Sequence, residues 1–70
     1  MSETLNVGDR AINLTQVLKL VGWVENGGQA KALISEGQVR VNGAIELRKR
    51  RQMAVGDTVQ IEGGPSLVLA

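Results

Sequence analysis

Arg48-Lys49-Arg50-Arg51 sets four cations side by side. Such neighbours repel one another and gain nothing from an apolar core, so the run is either a solvated loop or a place for an anion. Phosphate suits it well. Arginine offers a planar fork that meets two oxygens at once, and lysine adds a compact charge. Between Ala30 and Gln52 the cations Lys31, Arg40, Arg48, Lys49, Arg50 and Arg51 are set against Glu36 and Glu46 alone, a net +4. The rest of the chain holds Arg10 and Lys19 against Glu3, Asp9, Glu25, Asp57 and Glu62, a net −3. A chain of overall charge +1 therefore gathers its positive charge in one segment.

Lys31 lies early in a segment with helical spacing, just after Gly27 and Gly28. Glycine is a poor helix former. At the start of a helix it leaves bare N–H groups at the positive end of the dipole, a setting suited to phosphate. Simple turn geometry at Gly27 explains the pair equally well. Trp23 is the single aromatic residue. It either fills the core or stacks on an unpaired base. One aromatic is too few for a sheet that stacks single-stranded bases, so contacts should go mainly to phosphate and sugar, reading shape.

The chain has neither histidine nor cysteine. That removes the usual zinc sites, disulfides and Ser–His or Cys–His nucleophiles. The seven Asp and Glu residues are scattered singly, with no pair spaced for acid–base work. No catalytic residue, cofactor or metal is expected. Met1–Gly8 has no basic flank or apolar run of the secretory kind. No stretch approaches the roughly 20 apolar residues of a membrane helix. A monomeric, cytoplasmic, non-enzymatic protein is expected, with one domain over 1–70 and its core over 14–62.

The elements that must position these residues follow from periodicity. Leu14, Val17, Leu18 and Val21 recur at i, i+3, i+4, i+7, one stripe of a helix that leaves Gln16 and Lys19 outside. Asn13 and Thr15 are both candidate caps, and Gly22 suits the stop. Ala30, Leu33, Ile34 and Gly37 repeat the spacing, with Asn26 as N-cap and Gln29 completing a capping box. Two short helices joined by a tight link form a helix–turn–helix-like pair.

After Gly37 the period becomes two, with Val39 and Val41 inward and Arg40 outward. Asn42-Gly43 signals a hairpin. A three-residue loop, Asn42 to Ala44, would pair Val41 with Ile45 and Val39 with Leu47, and would set Arg40 opposite Glu46. That register is preferred here to a two-residue loop, which would put Ile45 and Leu47 on the face of Arg40. Val59 and Ile61 alternate again after Gly56-Asp57, and Ser66–Leu69 reads as a closing strand. Met1–Val7 reads as a frayed edge strand. The expected class is α+β: two short helices packed on a small antiparallel sheet of three to five strands.

In this order Leu14, Leu18, Gly22, Asn26, Ala30, Leu33, Ile34, Gly37, Val39, Val41, Asn42, Gly43, Gly56 and Asp57 resemble the RNA-binding domain named after ribosomal small-subunit protein four, the S-four domain. The resemblance covers about Leu14 to Glu62 and is closest to the short stand-alone bacterial members. It implies a helix–loop RNA-binding surface, the αL motif, that meets structured RNA, commonly ribosomal or transfer RNA. It also implies roles for Lys31 early in the second helix, for Arg40 between the valines, and for Arg48 to Arg51. The chain departs from the family pattern in two places. Many members have Arg-Leu-Asp where this chain has Asn13-Leu14-Thr15, and Ser-Arg where it has Asn26-Gly27. Two cations of the larger family's face are thus absent, which moves the expected contact toward the tetrad. The expected RNA-binding set is Lys31, Arg40, Arg48, Lys49, Arg50, Arg51, Lys19, Gly27 and Gly28.

Two other readings compete. In a helix–turn–helix DNA binder the second helix would read bases, but Gln29, Lys31 and Ser35 are few side chains for major-groove readout. In a protein-interaction adaptor the basic face would meet an acidic partner.

Overall fold

The computed structural model describes residues 2–70. The elements run β1 (Ser2–Leu5), β2 (Ile12–Asn13), α1 (Leu14–Leu20), α2 (Gly27–Ser35), β3 (Val39–Val41), β4 (Ala44–Ile45), β5 (Gln52–Met53), β6 (Thr58–Ile61) and β7 (Ser66–Leu69). Both helices begin and end where their sequences direct. Asn13 caps α1: its Oδ1 accepts the Gln16 N–H at 2.9 Å, and Gln16 Oε1 accepts the Asn13 N–H at 2.9 Å. Asn26 caps α2 by accepting the Gln29 N–H, but Gln29 Oε1 reaches Glu25 N–H instead of Asn26. Each helix closes in a Schellman motif. Trp23 N–H donates to Leu18 and Gly22 N–H to Lys19; Gln38 N–H donates to Leu33 and Gly37 N–H to Ile34. Carbonyls at the C-terminal end of each helix are thereby engaged, and the apolar stripes are free to pack.

Those stripes meet the sheet. Leu14, Val17 and Leu18 of α1 and Ala30 and Ile34 of α2 are buried against Val39, Val41, Val59, Leu67 and Leu69. Val7, Ile12 and Met53 complete the core, so the buried set reaches past 14–62 at both ends. Trp23 is half-buried and packs on the edge of this core, with Val24 and Leu33. Neither helix is long and apolar enough to cross a membrane.

The fold is α+β as expected, but the main sheet is mixed. Its order is β1-β7-β6-β3-β4, with β1 parallel to β7 and the other pairs antiparallel. A parallel pair requires a long crossover. Here almost the whole chain supplies it, which is why no local pattern announced the pairing. Val7 N–H donates to the Ala70 carbonyl at 2.8 Å and Ala70 N–H to that of Leu5 at 2.9 Å, tying the two ends together. A second, two-stranded sheet joins β2 to β5.

The β3–β4 hairpin corrects the expected register. Val41 pairs with Ala44 and Arg40 with Ile45, so the loop is Asn42-Gly43 alone. Asn42 has φ 53° and Gly43 φ 85°, the two left-handed positions that a two-residue type I′ turn requires. Asn42 is held there by its side chain, which donates to Asp57 Oδ1 at 3.0 Å and accepts the Thr58 N–H at 2.9 Å. Turn chemistry thus prevails over the pairing of apolar residues. Ile45 and Leu47 are left exposed at the sheet edge, and Arg40 meets Glu62 at 2.7 Å instead of Glu46.

A side chain at Gly43 would meet no atom within 4 Å, so the obstacle to one is conformational, not spatial. Gly43→Val should therefore lower the unfolding free energy by about 1–2 kcal/mol, read from the midpoint of urea denaturation. An unchanged midpoint would contradict the type I′ turn.

Candidate nucleic-acid interface

The basic run lies in the loop between β4 and β5, and its backbone is docked on the start of α1. The first N–H groups of a helix have no partner within it. Here the loop supplies acceptors. Leu14 N–H donates to the Arg51 carbonyl at 3.0 Å and Thr15 N–H to the Lys49 carbonyl at 3.3 Å. Thr15 Oγ1 adds a third bond to the Lys49 carbonyl at 2.7 Å. Thr15 is buried, so these bonds are sheltered from water. With those carbonyls turned inward, Arg48, Lys49 and Arg50 are exposed.

The four cations are not equivalent. Arg48 forks onto Glu46, with Nη2 at 3.0 Å from Oε1 and Nε at 3.1 Å from Oε2. Arg51 lies between two carboxylates, Glu46 at 2.8 Å and Asp57 at 3.3 Å, with its side chain only 23% exposed. Asp57 also accepts the Asn42 amide and the Ala54 N–H, so Arg51 ties the basic loop to the two turns beside it. Among the described residues, Lys49 and Arg50 form no ion pair. Arg48 is paired but 74% exposed, and a phosphate can compete for it in water. Arg51 has little such freedom: its two carboxylates hold it as a strut.

The start of α2 reaches this loop through Thr15. A β-carbon on Gly27 would lie 4.0 Å from Thr15 Cγ2, and Thr15 is the residue bonded to Lys49. Lys31 is four residues on from Gly27, one turn along the same helix side, and is exposed. Gly28 sits beside the capping Asn26 oxygen. Among the described residues nothing accepts from the Gly27 or Gly28 N–H groups. Thr15 thus links the loop to Gly27, with Gly28 and Lys31 on the same short helix.

Arg40 and Lys19 are placed differently. Arg40 faces away from the buried Val39 and Val41, on the sheet surface opposite the helices, and is engaged by Glu62 and the Gly43 carbonyl. Lys19 is exposed in the last turn of α1 beside Leu20. Sequence reasoning named Thr15 only as a possible cap, and its bond to a residue 34 positions away left no local trace. It did not assign Glu46 or Asp57 any part in holding the loop. Among the described residues, no group of three or more acidic, His or Cys side chains could hold a metal ion.

The ion network carries a pH dependence. The Arg48 side chain, through its hydrogen bonds, holds the Glu46 carboxyl down at about 2 against an ordinary 4.5. Asp57 is lowered too, chiefly by the Asn42 amide. A depressed folded-state value stabilises the fold above the ordinary value, and that contribution is lost as pH falls through the folded one. Thermal melts should therefore show stability falling as pH drops from 4.5 toward about 2, and Glu46→Gln should flatten that slope. Parallel profiles for the two proteins would contradict the role of Glu46.

The chain resembles proteins of known description along most of its length. Residues 5–69 match the model of the S4 domain, the S-four domain named above. "Putative RNA-binding protein YbcJ" of Escherichia coli (strain K12) is 49% identical over 59 residues, which are 84% of each chain. "Probable ribosome maturation protein RlbA" of Bacillus subtilis (strain 168) is 40% identical over 63 residues, 90% of this chain and 89% of that one. The solution structure of Escherichia coli YbcJ, described as revealing an αL motif involved in RNA binding, aligns over 100% of this chain and 89% of its own. The TM-score is 0.76 and the identity 42%. With the family model covering most of the chain and relatives of 40% and 49% identity along most of theirs, this chain belongs to the S4 domain family.

Proposed function

We propose that this protein binds structured RNA, without catalysing a reaction, through the loop and helix face built from Arg48, Lys49, Arg50, Lys31 and the Gly27–Gly28 amides. One observation carries the reading: the Lys49 and Arg51 carbonyls are bonded to the start of α1, so Lys49 and Arg50, without an ion pair among the described residues, are exposed on a loop that Thr15 links to the start of α2. Such a face meets phosphates at fixed spacing, and fixed spacing reads the shape of a folded strand. Arg51 acts by positioning the loop. Arg40, on the opposite sheet surface, contributes little.

The names of the relatives support RNA as the ligand, and the ribosome maturation name of the Bacillus subtilis relative favours ribosomal over transfer RNA. A helix–turn–helix DNA reading gains no support from the geometry. α2 is nine residues long, and its start is beside the basic loop, where phosphate contact suits it better than base readout.

The test is fluorescence anisotropy with a ribosomal RNA hairpin and a duplex DNA of equal length. With about four phosphates neutralised, log K should fall with log salt at a slope of roughly −3 to −4. Lys49→Gln with Arg50→Gln should weaken RNA binding at least about tenfold and make the slope shallower by about 2. Arg40→Gln should change affinity less than about twofold. Wild-type affinity in the double variant, or equal affinity for duplex DNA, would overturn the proposal.

A further inference from the structure

The basic loop borders a groove lined by Arg48, Arg50, Arg51 and Gln52. A second groove runs along α1, lined by Arg10, Ala11, Ile12, Gln16, Lys19 and Leu20. The two are neighbours across the small sheet. Gln52 pairs with Asn13, and Asn13 exchanges two hydrogen bonds with Gln16. From Gln16 the outer side of α1 continues to Lys19 and Leu20, three and four residues on and one turn along. A single surface therefore leads from the tetrad over Gln52, Asn13 and Gln16 into the second groove.

The chemistry of that groove is mixed. None of its six lining residues is acidic. Lys19 has no ion pair among the described residues. Arg10 donates from Nε to the Val7 carbonyl at 3.2 Å and from Nη2 to that of Asn6 at 2.9 Å, which fixes the guanidinium without neutralising it. Between these cations Leu20 is 54% exposed, although the core makes no use of it. Cations beside an apolar ledge suit a ligand with both a phosphate and an apolar face.

We propose that this groove takes an unpaired nucleotide of the RNA strand as it leaves the structured part held at the tetrad. Lys19 and Arg10 meet its phosphate, and the base or ribose lies on Leu20 and Ala11. The inference rests on the RNA reading above and adds a second subsite to it. A duplex buries its base faces in the stack and would leave the ledge unused, whereas an unstacked base offers its face. An acidic peptide with apolar residues has similar chemistry, but the unbroken surface leading from the tetrad favours the same RNA strand.

Anisotropy with two RNAs separates the possibilities: one blunt hairpin, and the same hairpin carrying a short unpaired extension at one end or the other. The wild type should bind an extended RNA about fivefold more tightly than the blunt one. Leu20→Ser, at an exposed position outside the core, should abolish most of that advantage and leave affinity for the blunt hairpin nearly unchanged. Arg50→Gln should weaken binding of both RNAs. Equal wild-type affinity for blunt and extended RNA would overturn the second subsite while leaving the tetrad reading intact. Equal weakening of both RNAs by Leu20→Ser would also overturn it, since the ledge would then give no preference for an unpaired nucleotide. Binding of an acidic leucine-bearing peptide that depends on Lys19, with no advantage for extended RNA, would assign the groove to a protein instead. Failure of the wild type to bind either RNA would bring down both readings together.

Discussion

The proposed binding surface depends on one junction, the Lys49 carbonyl accepting both the N–H and the hydroxyl of Thr15. A buried helix start must find acceptors for its first N–H groups, because water cannot reach them. Side-chain capping by Asn13 meets part of that need, and the basic loop meets the rest. The same bonds set the loop's orientation. Carbonyls turned toward α1 leave the tetrad's side chains directed outward, with Arg51 as the exception. Without this junction Arg48–Arg51 would be a solvated cationic loop with no fixed relation to α2. With it, the loop that carries them is tied through Thr15 to Gly27, at the start of the helix that holds Lys31.

Four adjacent cations oppose such order, and the structure offsets their repulsion at the two ends of the run. Glu46 accepts from Arg48 and pairs with Arg51, and Asp57 takes the other side of Arg51. Among the described residues the middle pair, Lys49 and Arg50, has no ion-pair partner. The division matters more than the net charge of +1, which by itself predicts no anion binding. A cation held between two carboxylates positions its neighbours, and an unpaired one is available to phosphate. Arg40 belongs to the engaged class through Glu62, and Lys31 and Lys19 to the available class.

Local chemistry was legible in the sequence wherever its partners were close along the chain. The stripes from Leu14 to Val21 and from Ala30 to Gly37, both Asn caps and the stops at Gly22 and Gly37 all rest on contacts within one or two turns. The ordered set of these signals also carried the family resemblance. Long-range features were hidden. β1 finds its parallel partner β7 at the far end of the chain, and the short β2–β5 pair has too few residues to show alternation. The hairpin register was misjudged because Ile45 and Leu47 looked like core residues, whereas left-handed Asn42 and Gly43 decide the turn. Of the candidate site, the tetrad and Lys31 could be named from residue type alone. That Arg51 is a strut and that Thr15 is an anchor depends on Glu46, Asp57 and Lys49 meeting them in space.

The docked loop and the start of α2 are proposed to form one RNA-binding surface. An NMR titration of labelled protein with a ribosomal RNA hairpin tests it most directly. If they do, the amides of Gly27, Gly28, Lys31, Lys49 and Arg50 shift together and saturate at one RNA concentration, while Arg40 and Gln60 on the opposite sheet surface stay still. Shifts centred on Arg40 and Gln60, or tetrad shifts that saturate apart from those of Gly27 and Lys31, would contradict it.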